Sequence, residues 1–499
     1  MNLASTLQYS AERSPDAVAL SEGGKQLTYV DLMDRVSSIA AGLVSLGVRQ
    51  GDVVATVLKN RVENVEVFWA CQWIGAVYLP LSWRNPPATV RYSLEDADAR
   101  VVVFESVSED HVRGLDQTMP LIGVGEASAD RTFDQLGMGG SVPGRFDLDD
   151  RSTALMLYTS GTTGKPKGVP RSHRAERIAS TAQALQHGYQ VGERTLGVMP
   201  LYHTMGIHSL VSMALLGGCY AAQPDWDAAE AHSIIDVENI SSLYLAPTLF
   251  FDLVDSDTRV GKPVRALGYA GAAMTGALVE RCSEFFNPEV FVNHYGSTEI
   301  YCYTIGANQR RKPGNAGRAS LNTRLRLVGM EATSGPDDVV ADGEEGQIIC
   351  HMSSDEAFAG YWNRPDANEA AIRQGWYFTG DLGRVDEEGD YWVVGRVDDM
   401  IISGGENIHP LEVEDVLARA PGVREVAVFA APDDRFGQKV VAAVVTDPGV
   451  EVSQLDEFCI ASEDLARYKR PREYRIVDEL PKSPSGKILR RLLREEETS

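Results

Sequence analysis

Tyr158-Thr159-Ser160-Gly161-Thr162-Thr163-Gly164-Lys165-Pro166-Lys167-Gly168 is the stretch on which the reading of this chain turns. It follows the apolar run Thr153-Ala154-Leu155-Met156-Leu157, which predicts a buried strand. Next comes a loop of hydroxyls, glycines and two lysines. Hydroxyls and open backbone N–H groups can surround phosphate oxygens, and lysines add point charge. Glycine lets the backbone approach a ligand closely. A flexible surface loop is the plain alternative, because Ser, Thr and Gly gather in loops of every kind. The spacing excludes a Walker loop, G-x-x-x-x-G-K-[ST]. Only two residues separate Gly161 from Gly164, and a proline follows Lys165.

Around this loop the composition is that of an ordinary globular protein. The 499 residues are 43% hydrophobic and 24% charged, which leaves room for a large core and for more than one domain. A net charge of −24 repels nucleic acid and anionic lipid, so no extended binding to either is expected. A polyphosphate would need a local basic site. The cysteines at 71, 219, 282, 302, 350 and 459 form no C-x-x-C pair. They read as reduced thiols in a cytoplasmic protein, without a disulfide framework or a zinc site. The start Met1-Asn2-Leu3-Ala4-Ser5-Thr6 has no charged segment with an apolar run behind it, so no signal peptide is expected. Residues 67–83, interrupted by Gln72, Gly75 and Pro80, fit a buried helix and a strand better than a membrane span.

In chain order, Thr28 and Asp31 form a capping-box pattern, followed by the stripe Leu32, Val36, Ile39, Leu43 and Leu46, with Gly47 as a natural stop. Strands are predicted over 53–58, 76–79 and 101–104, and a helix over 62–74. After the loop, 242–245 and 266–270 read as further strands. The alternation predicts layered α/β architecture with largely parallel sheets. From about Gly314 to 395 the runs shorten between turn signals such as Glu388-Gly389, which predicts a β-rich subdomain. Arg396-Val397-Asp398-Asp399 is a polar junction. Two units are expected: residues 1–397, and a small α/β cap over 398–499.

Four further stretches carry polar chemistry. Tyr295-Gly296-Ser297-Thr298-Glu299 offers a ring on which a purine can stack and a carboxylate that can hold Mg²⁺ against phosphate oxygens. Trp376-Tyr377-Phe378-Thr379-Gly380-Asp381 ends in a carboxylate able to accept from ribose hydroxyls, and Arg396 can bind ribose or phosphate. Ser403-Gly404-Gly405-Glu406-Asn407 reads as a flexible loop just past the junction. Pro481-Lys482-Ser483-Pro484-Ser485-Gly486-Lys487 ends in a lysine before an arginine-rich helix. Each alone has an ordinary reading: an aromatic before glycine is usually core, and a lone carboxylate is usually solvated.

In this order, the set resembles the adenylate-forming superfamily of acyl-CoA synthetases, adenylation domains and luciferases, over nearly the whole chain. Within it, Ile401-Ile402-Ser403-Gly404-Gly405-Glu406-Asn407-Ile408-His409-Pro410 and Ala357-Phe358-Ala359-Gly360-Tyr361 look most similar to aryl-CoA ligases of the 4-chlorobenzoate type. The resemblance implies a two-step reaction. A carboxylate attacks the ATP α-phosphate, and a thiol then displaces AMP. It implies that Lys487 is the catalytic lysine, that Glu299 positions Mg²⁺ and that Thr298 contacts the α-phosphate. Thr159, Ser160, Gly161, Thr162, Thr163, Gly164 and Lys167 would hold the β- and γ-phosphates. Tyr295, Gly296, Ser297 and the backbone of Gly271-Ala272-Ala273 would surround adenine, and Asp381 and Arg396 would hold ribose.

The resemblance further implies rotation of the cap about Asp398, which removes Lys487 and brings Gly404-Gly405 to a pantetheine tunnel. CoA would meet Arg84, Phe436, Tyr468, Arg470 and Arg472, the last two among ten Lys and Arg between Arg467 and Arg494. Phe436 stands where related ligases can have tryptophan. The acyl pocket would draw on His203, Gly271, Ala272, Ala273, Ile300, Tyr301 and Ile305, which offer no partner for an α-ammonium group. The reading is therefore an ATP-, Mg²⁺- and CoA-dependent ligase of a benzoate-like or phenylpropenoate-like acid. Medium-chain fatty acids come second. The partners are these small molecules, with no nucleic acid and no membrane; a homodimer is an open option. A carrier-protein-loading adenylation enzyme shares the first step. A luciferase-like oxygenase fits less well, because Glu497-Thr498-Ser499 is not a Ser-Lys-Leu tail. A nucleotide sensor without catalysis is opposed by the presence of Lys487 and Glu299.

Overall fold

A computed structural model describes every residue except 1, 116–118, 130, 139, 141–146, 160–164, 257–260, 262, 332, 434, 463, 483–487 and 496–499. The fold class is the α/β layering expected from the sequence. Among the described residues, a seven-stranded sheet contains Val53–Val57, Val77–Pro80, Ala99–Glu105 and Thr153–Thr159. Its pairings are parallel until the edge, where Thr153–Thr159 and Lys167–Ser172 form an antiparallel hairpin. The Thr/Gly stretch is therefore a strand–loop–strand hairpin closed by the Thr159↔Lys167 pair, and not a strand-to-helix turn.

A nine-stranded sheet carries the second half of the large unit. Its parallel centre includes Arg194–Gly197, Ser242–Leu245, Ala266–Tyr269 and Val290–Tyr295. Strands covered on both faces read as continuous apolar runs, and Val53–Val57 is buried at every position. Helix Val62–Ile74 is buried almost all round, so it lacks a one-sided apolar stripe. Its Phe68 and Trp69 belong to one core cluster with Leu20 and Tyr220 of the nine-stranded sheet and Val54, Tyr78 and Leu155 of the seven-stranded one. The predicted capping box is present: Thr28 accepts from the Asp31 N–H at the start of helix Tyr29–Ser45.

The β-rich segment is an antiparallel sheet of Leu325–Val328, Gly346–His351, Ile372–Arg373, Trp376–Val385 and Tyr391–Arg396. A second small sheet holds Ile401–Ser403, Glu406–Ile408, Val423–Asp433, Gly437–Thr446 and Glu473–Ile476. Among the described residues its strands pair only with one another. It encloses its own core of Ile401, Val413, Val428, Val444 and Leu455. Between the two sheets lies a single turn, Val397–Asp399. Gly404-Gly405, read from sequence as a flexible loop, is a tight two-residue hairpin turn between Ile401–Ser403 and Glu406–Ile408. Both glycines have positive φ, +63° and +87°, which a type I′ turn requires.

Candidate active site

Several of the residues singled out in the sequence lie at the ends of strands. Thr159 closes one strand, and the exposed backbone of Gly271, Ala272 and Ala273 follows Ala266–Tyr269. Tyr295 ends Val290–Tyr295. Carboxyl ends of parallel strands are where open α/β sheets leave a crevice for ligands. Gly296 lets the next loop fold back: a Cβ there would lie 1.7 Å from the Tyr301 carbonyl oxygen. Ser297 Oγ then accepts from the backbone N–H groups of Glu299 and Ile300 at 3.2 and 3.3 Å and contacts the Tyr303 hydroxyl at 2.7 Å. Thr298 is partly exposed at the tip of this loop.

Asp381 and Arg396 are direct cross-strand partners in the antiparallel register. Arg396 donates to Asp381 Oδ1 at 2.6 Å, and the Tyr295 hydroxyl donates to Oδ2 at 2.6 Å. Burial works against the Arg396 charge, but Asp381 and Asp398 outweigh it and raise its pKa. The three residues expected around adenosine are thus one hydrogen-bonded group.

Glu299 is nearly buried, and its Oε1 accepts the Tyr361 hydroxyl at 2.7 Å. The Lys167 ammonium lies 4.1 Å from the centre of the Tyr361 ring. Burial lowers the Lys167 pKa, and Glu299 opposes that shift. Burial and the Glu299 charge push the Tyr361 phenol upward, so it remains a donor. A lone hard carboxylate beside cationic groups suits magnesium, which is held by one or two carboxylates plus phosphate oxygens. Among the described residues no cluster of three or more His, Cys, Asp or Glu offers a full protein cage, in keeping with that mode of binding.

Beneath Glu299 lies a buried support that sequence reasoning missed. Arg171 and Glu176 are both wholly buried and paired at 2.6 Å. Arg171 Nη1 donates to the carbonyls of Glu299 at 2.9 Å and Glu356 at 2.7 Å. The Phe358 N–H also donates to the Glu299 carbonyl, at 2.8 Å. Glu356 accepts from Asn322 and from the Cys302 N–H, and burial pushes its carboxyl up to about 7. Arg171 was visible only as a charge in the strand Lys167–Ser172, flanked by Val169 and the next helix. Tyr361 was noted as part of a resemblance and given no role.

Tyr301 and Ile300, both expected at the acyl pocket, lie in different core clusters. Ile300 packs with Val169, Tyr303 and Phe358, whereas Tyr301 lies in the core of the nine-stranded sheet. The Tyr301 hydroxyl bonds Gln183 at 2.6 Å and Tyr244 at 3.0 Å, and its ring stacks on His208 at 3.6 Å. Ile305 joins the same core. His203 caps helix Thr204–Leu216, its Nδ1 accepting from the Met205 N–H at 3.3 Å. A cavity of about 250 Å³ lies elsewhere, lined by Lys59, Trp83, Arg84, Tyr202, Trp226 and Lys482 among others. Of the residues expected to bind the acid or CoA, only Arg84 lines it.

The basic run is also largely neutralised. Lys469 pairs with Glu412, Arg475 with Glu473, Lys482 with Glu425 and Arg490 with Glu414, at 2.6–2.7 Å. Arg470, expected at CoA, has its guanidinium on Asp456, and Arg494 is on Asp399. Gly404, Phe436 and Arg472 do form one patch. The Gly404 N–H donates to the Phe436 carbonyl at 2.8 Å, and the Arg472 guanidinium is 5.9 Å from the Phe436 ring centre. Tyr468 is exposed, beside Lys469. Lys487 and residues 160–164, hence Ser160, Gly161, Thr162, Thr163 and Gly164, lie outside the described residues.

Comparison with known proteins was made for both parts of the chain. Residues 7–362 match the AMP-binding enzyme family, and residues 412–487 match the AMP-binding enzyme C-terminal domain. The chain is 32% identical to 4-chlorobenzoate–CoA ligase of Arthrobacter over 98% of its length and 94% of that protein's. It is also 32% identical to the long-chain-fatty-acid–CoA ligase FadD13 of Mycobacterium tuberculosis, over 99% and 98%. Among solved structures, o-succinylbenzoate–CoA synthetase of Bacillus subtilis in complex with ATP and magnesium superposes with a TM-score of 0.86. The identity there is 27%, over 99% of both chains. No helix among the described residues is long and apolar enough to cross a membrane.

Proposed function

From the premise that this chain belongs to the AMP-binding enzyme family, we propose that it is a carboxylate–CoA ligase whose preferred acid is aromatic. It is an AMP-forming acid–thiol ligase that uses ATP, Mg²⁺ and CoA. The observation that carries the site assignment is the meeting of two groups. Tyr295, Asp381 and Arg396 form one, and Lys167, Tyr361 and Glu299 form the other. Tyr361 lies in one core cluster with Tyr303 and Tyr377, and Tyr295 packs against that cluster, so the two groups adjoin.

In this reading the first group holds adenosine and the second faces the phosphates. Charge gathers on the α-phosphate as the carboxylate attacks, and donors placed there beforehand stabilise it. Lys487 would supply the positive charge that meets it. Lys482 and Ile488, on either side of residues 483–487, bridge one another. Glu299 would hold the magnesium of Mg·ATP. When bound, that ion screens the phosphate oxygens.

The second step needs CoA to reach the acyl carbon. Arg84 borders the 250 Å³ cavity, whereas Phe436 and Arg472 lie on the cap. Rotation of residues 398–499 about Asp398 would bring the two together. Arg494 donates to the Asp398 carbonyl at 3.3 Å and also holds Asp399. Both bonds lie within the cap, so the carbonyl side of Asp398 travels with it. Rotation about either backbone torsion of Asp398 would carry the cap, and φ is the one that proline fixes. Asp398→Pro should therefore lower thioester formation about tenfold while adenylation stays within about twofold. Separate assays of the two half-reactions check this, and unchanged thioester formation removes the hinge assignment.

Small, exposed Gly271-Ala272-Ala273 offers no partner for an ammonium group, which favours an apolar acid. The nearest buried carboxylate on the His208 side, Glu176, is already paired with Arg171. AMP release with CoA should be measured over a panel of benzoates, phenylpropenoates, and medium- and long-chain fatty acids. An aromatic acid should lead by about tenfold or more in kcat/KM. A fatty acid in first place overturns the aromatic reading and favours that of the equally similar fatty-acid ligase. Turnover with free CoA alone excludes carrier-protein loading as the required route.

A further inference from the structure

We infer that Tyr361 is a positioning residue that joins the two ends of the triphosphate site, its hydroxyl orienting Glu299 toward magnesium and its ring seating the Lys167 ammonium. The inference rests on the proposed role of Glu299 in holding Mg²⁺.

Three observations make this more than core packing. First, both faces of the contact are polar and directed. The hydroxyl meets Glu299 Oε1 at 2.7 Å and Tyr377 Oη at 3.2 Å, while the ammonium sits over the ring 4.1 Å from its centre. A charge-assisted bond of that kind fixes the rotation of a carboxylate, and a ring face attracts a cation. Second, the backbone of Tyr361 is held on both sides by one side chain. Its N–H donates to Asn368 Oδ1 at 2.6 Å, and Asn368 Nδ2 donates to its carbonyl at 3.1 Å. Third, its segment is tied to both partners. The Trp362 N–H donates to the Gly168 carbonyl, next to Lys167, and the Phe358 N–H donates to the Glu299 carbonyl, each at 2.8 Å. A movement of this segment therefore shifts the loop lysine and the carboxylate together. Residues that orient a metal-binding group matter to affinity nearly as much as the group itself.

The test uses the full chain and reads nucleotide binding without turnover. ATP binding is measured by calorimetry in EDTA, and then as a function of added Mg²⁺. Tyr361→Phe keeps the ring and loses only the hydroxyl. It should leave ATP affinity in EDTA unchanged and raise the Mg²⁺ concentration for half-maximal enhancement roughly tenfold. Tyr361→Leu also removes the seat of Lys167, so ATP affinity in EDTA should fall about threefold as well. A merely structural role would lower the melting temperature of Tyr361→Phe and leave its Mg²⁺ dependence like that of the wild type, which overturns the inference. Glu299→Gln separates the two claims. If Glu299→Gln shifts the Mg²⁺ dependence and Tyr361→Phe does not, the positioning role of Tyr361 is wrong. If Glu299→Gln leaves the Mg²⁺ dependence unchanged, the metal assignment itself fails.

Discussion

Lys487→Ala is expected to lower acid-dependent ATP–pyrophosphate exchange about 10²- to 10³-fold, the cost of removing one preorganised donor from a developing charge. Thioester formation from supplied acyl-adenylate should remain within about threefold, because the thiol then attacks the acyl carbon and the proposed rotation of the cap would have carried Lys487 away. The residues on either side of 483–487 are held. The Leu489 N–H donates to the Pro481 carbonyl at 2.8 Å, and Leu480, Ile488 and Leu493 pack against Phe429 and Val441. Lys482, already paired with Glu425 at the cavity wall, is the internal comparison, and Lys482→Ala should have a much smaller effect. Equal loss in both half-reactions for Lys487→Ala would show that its assigned role is wrong.

The second large effect is on stability. Arg171→Met should destabilise the protein by about 3–5 kcal/mol, since it strands a buried carboxylate. Glu176 would lose its partner in a site without water access, and the carbonyls of Glu299 and Glu356 would each lose a donor. His208 Nε2, 3.3 Å from Glu176, would replace only part of the lost partner, because its own burial works against its charged form. Arg171→Lys should recover only part of the loss, because an ammonium cannot reproduce the planar fork that reaches three acceptors. Arg171→Met combined with Glu176→Met should be less damaging than Arg171→Met alone, as both charges then leave together. Urea unfolding of the four proteins measures this. A single-variant loss below about 1 kcal/mol would show that the pair supports little of the fold.

These two predictions draw on different sources. The role of Lys487 rests on a local motif, legible without any structure. Arg171 could not have been found that way, because two of its three acceptors lie 128 and 185 residues away in sequence. The same division runs through the candidate site. Asp381 and Arg396 were both named from short motifs, and an antiparallel register made them partners. The basic run near the C-terminus looked like an anion site because composition records one sign of charge at a time. Folding set Glu412, Asp456, Glu473, Glu425 and Glu414 against it.

By itself the sequence determined the family, the alternation of strands and helices, the capping box at Thr28 and the buried strand that leads into the Thr/Gly stretch; the antiparallel return over Lys167–Ser172 came from the fold. The former are near-neighbour properties, set by side-chain periodicity, by turn residues and by motifs a few residues long. Only the tertiary structure decided what supports the site. Tyr361 bridges Lys167 and Glu299, Arg171 holds two loops from below, and Tyr301 fills core where a pocket wall was expected. The reason is physical. A buried polar group must find its partner wherever the fold places one, and that partner is chosen by geometry in space, not by distance along the chain.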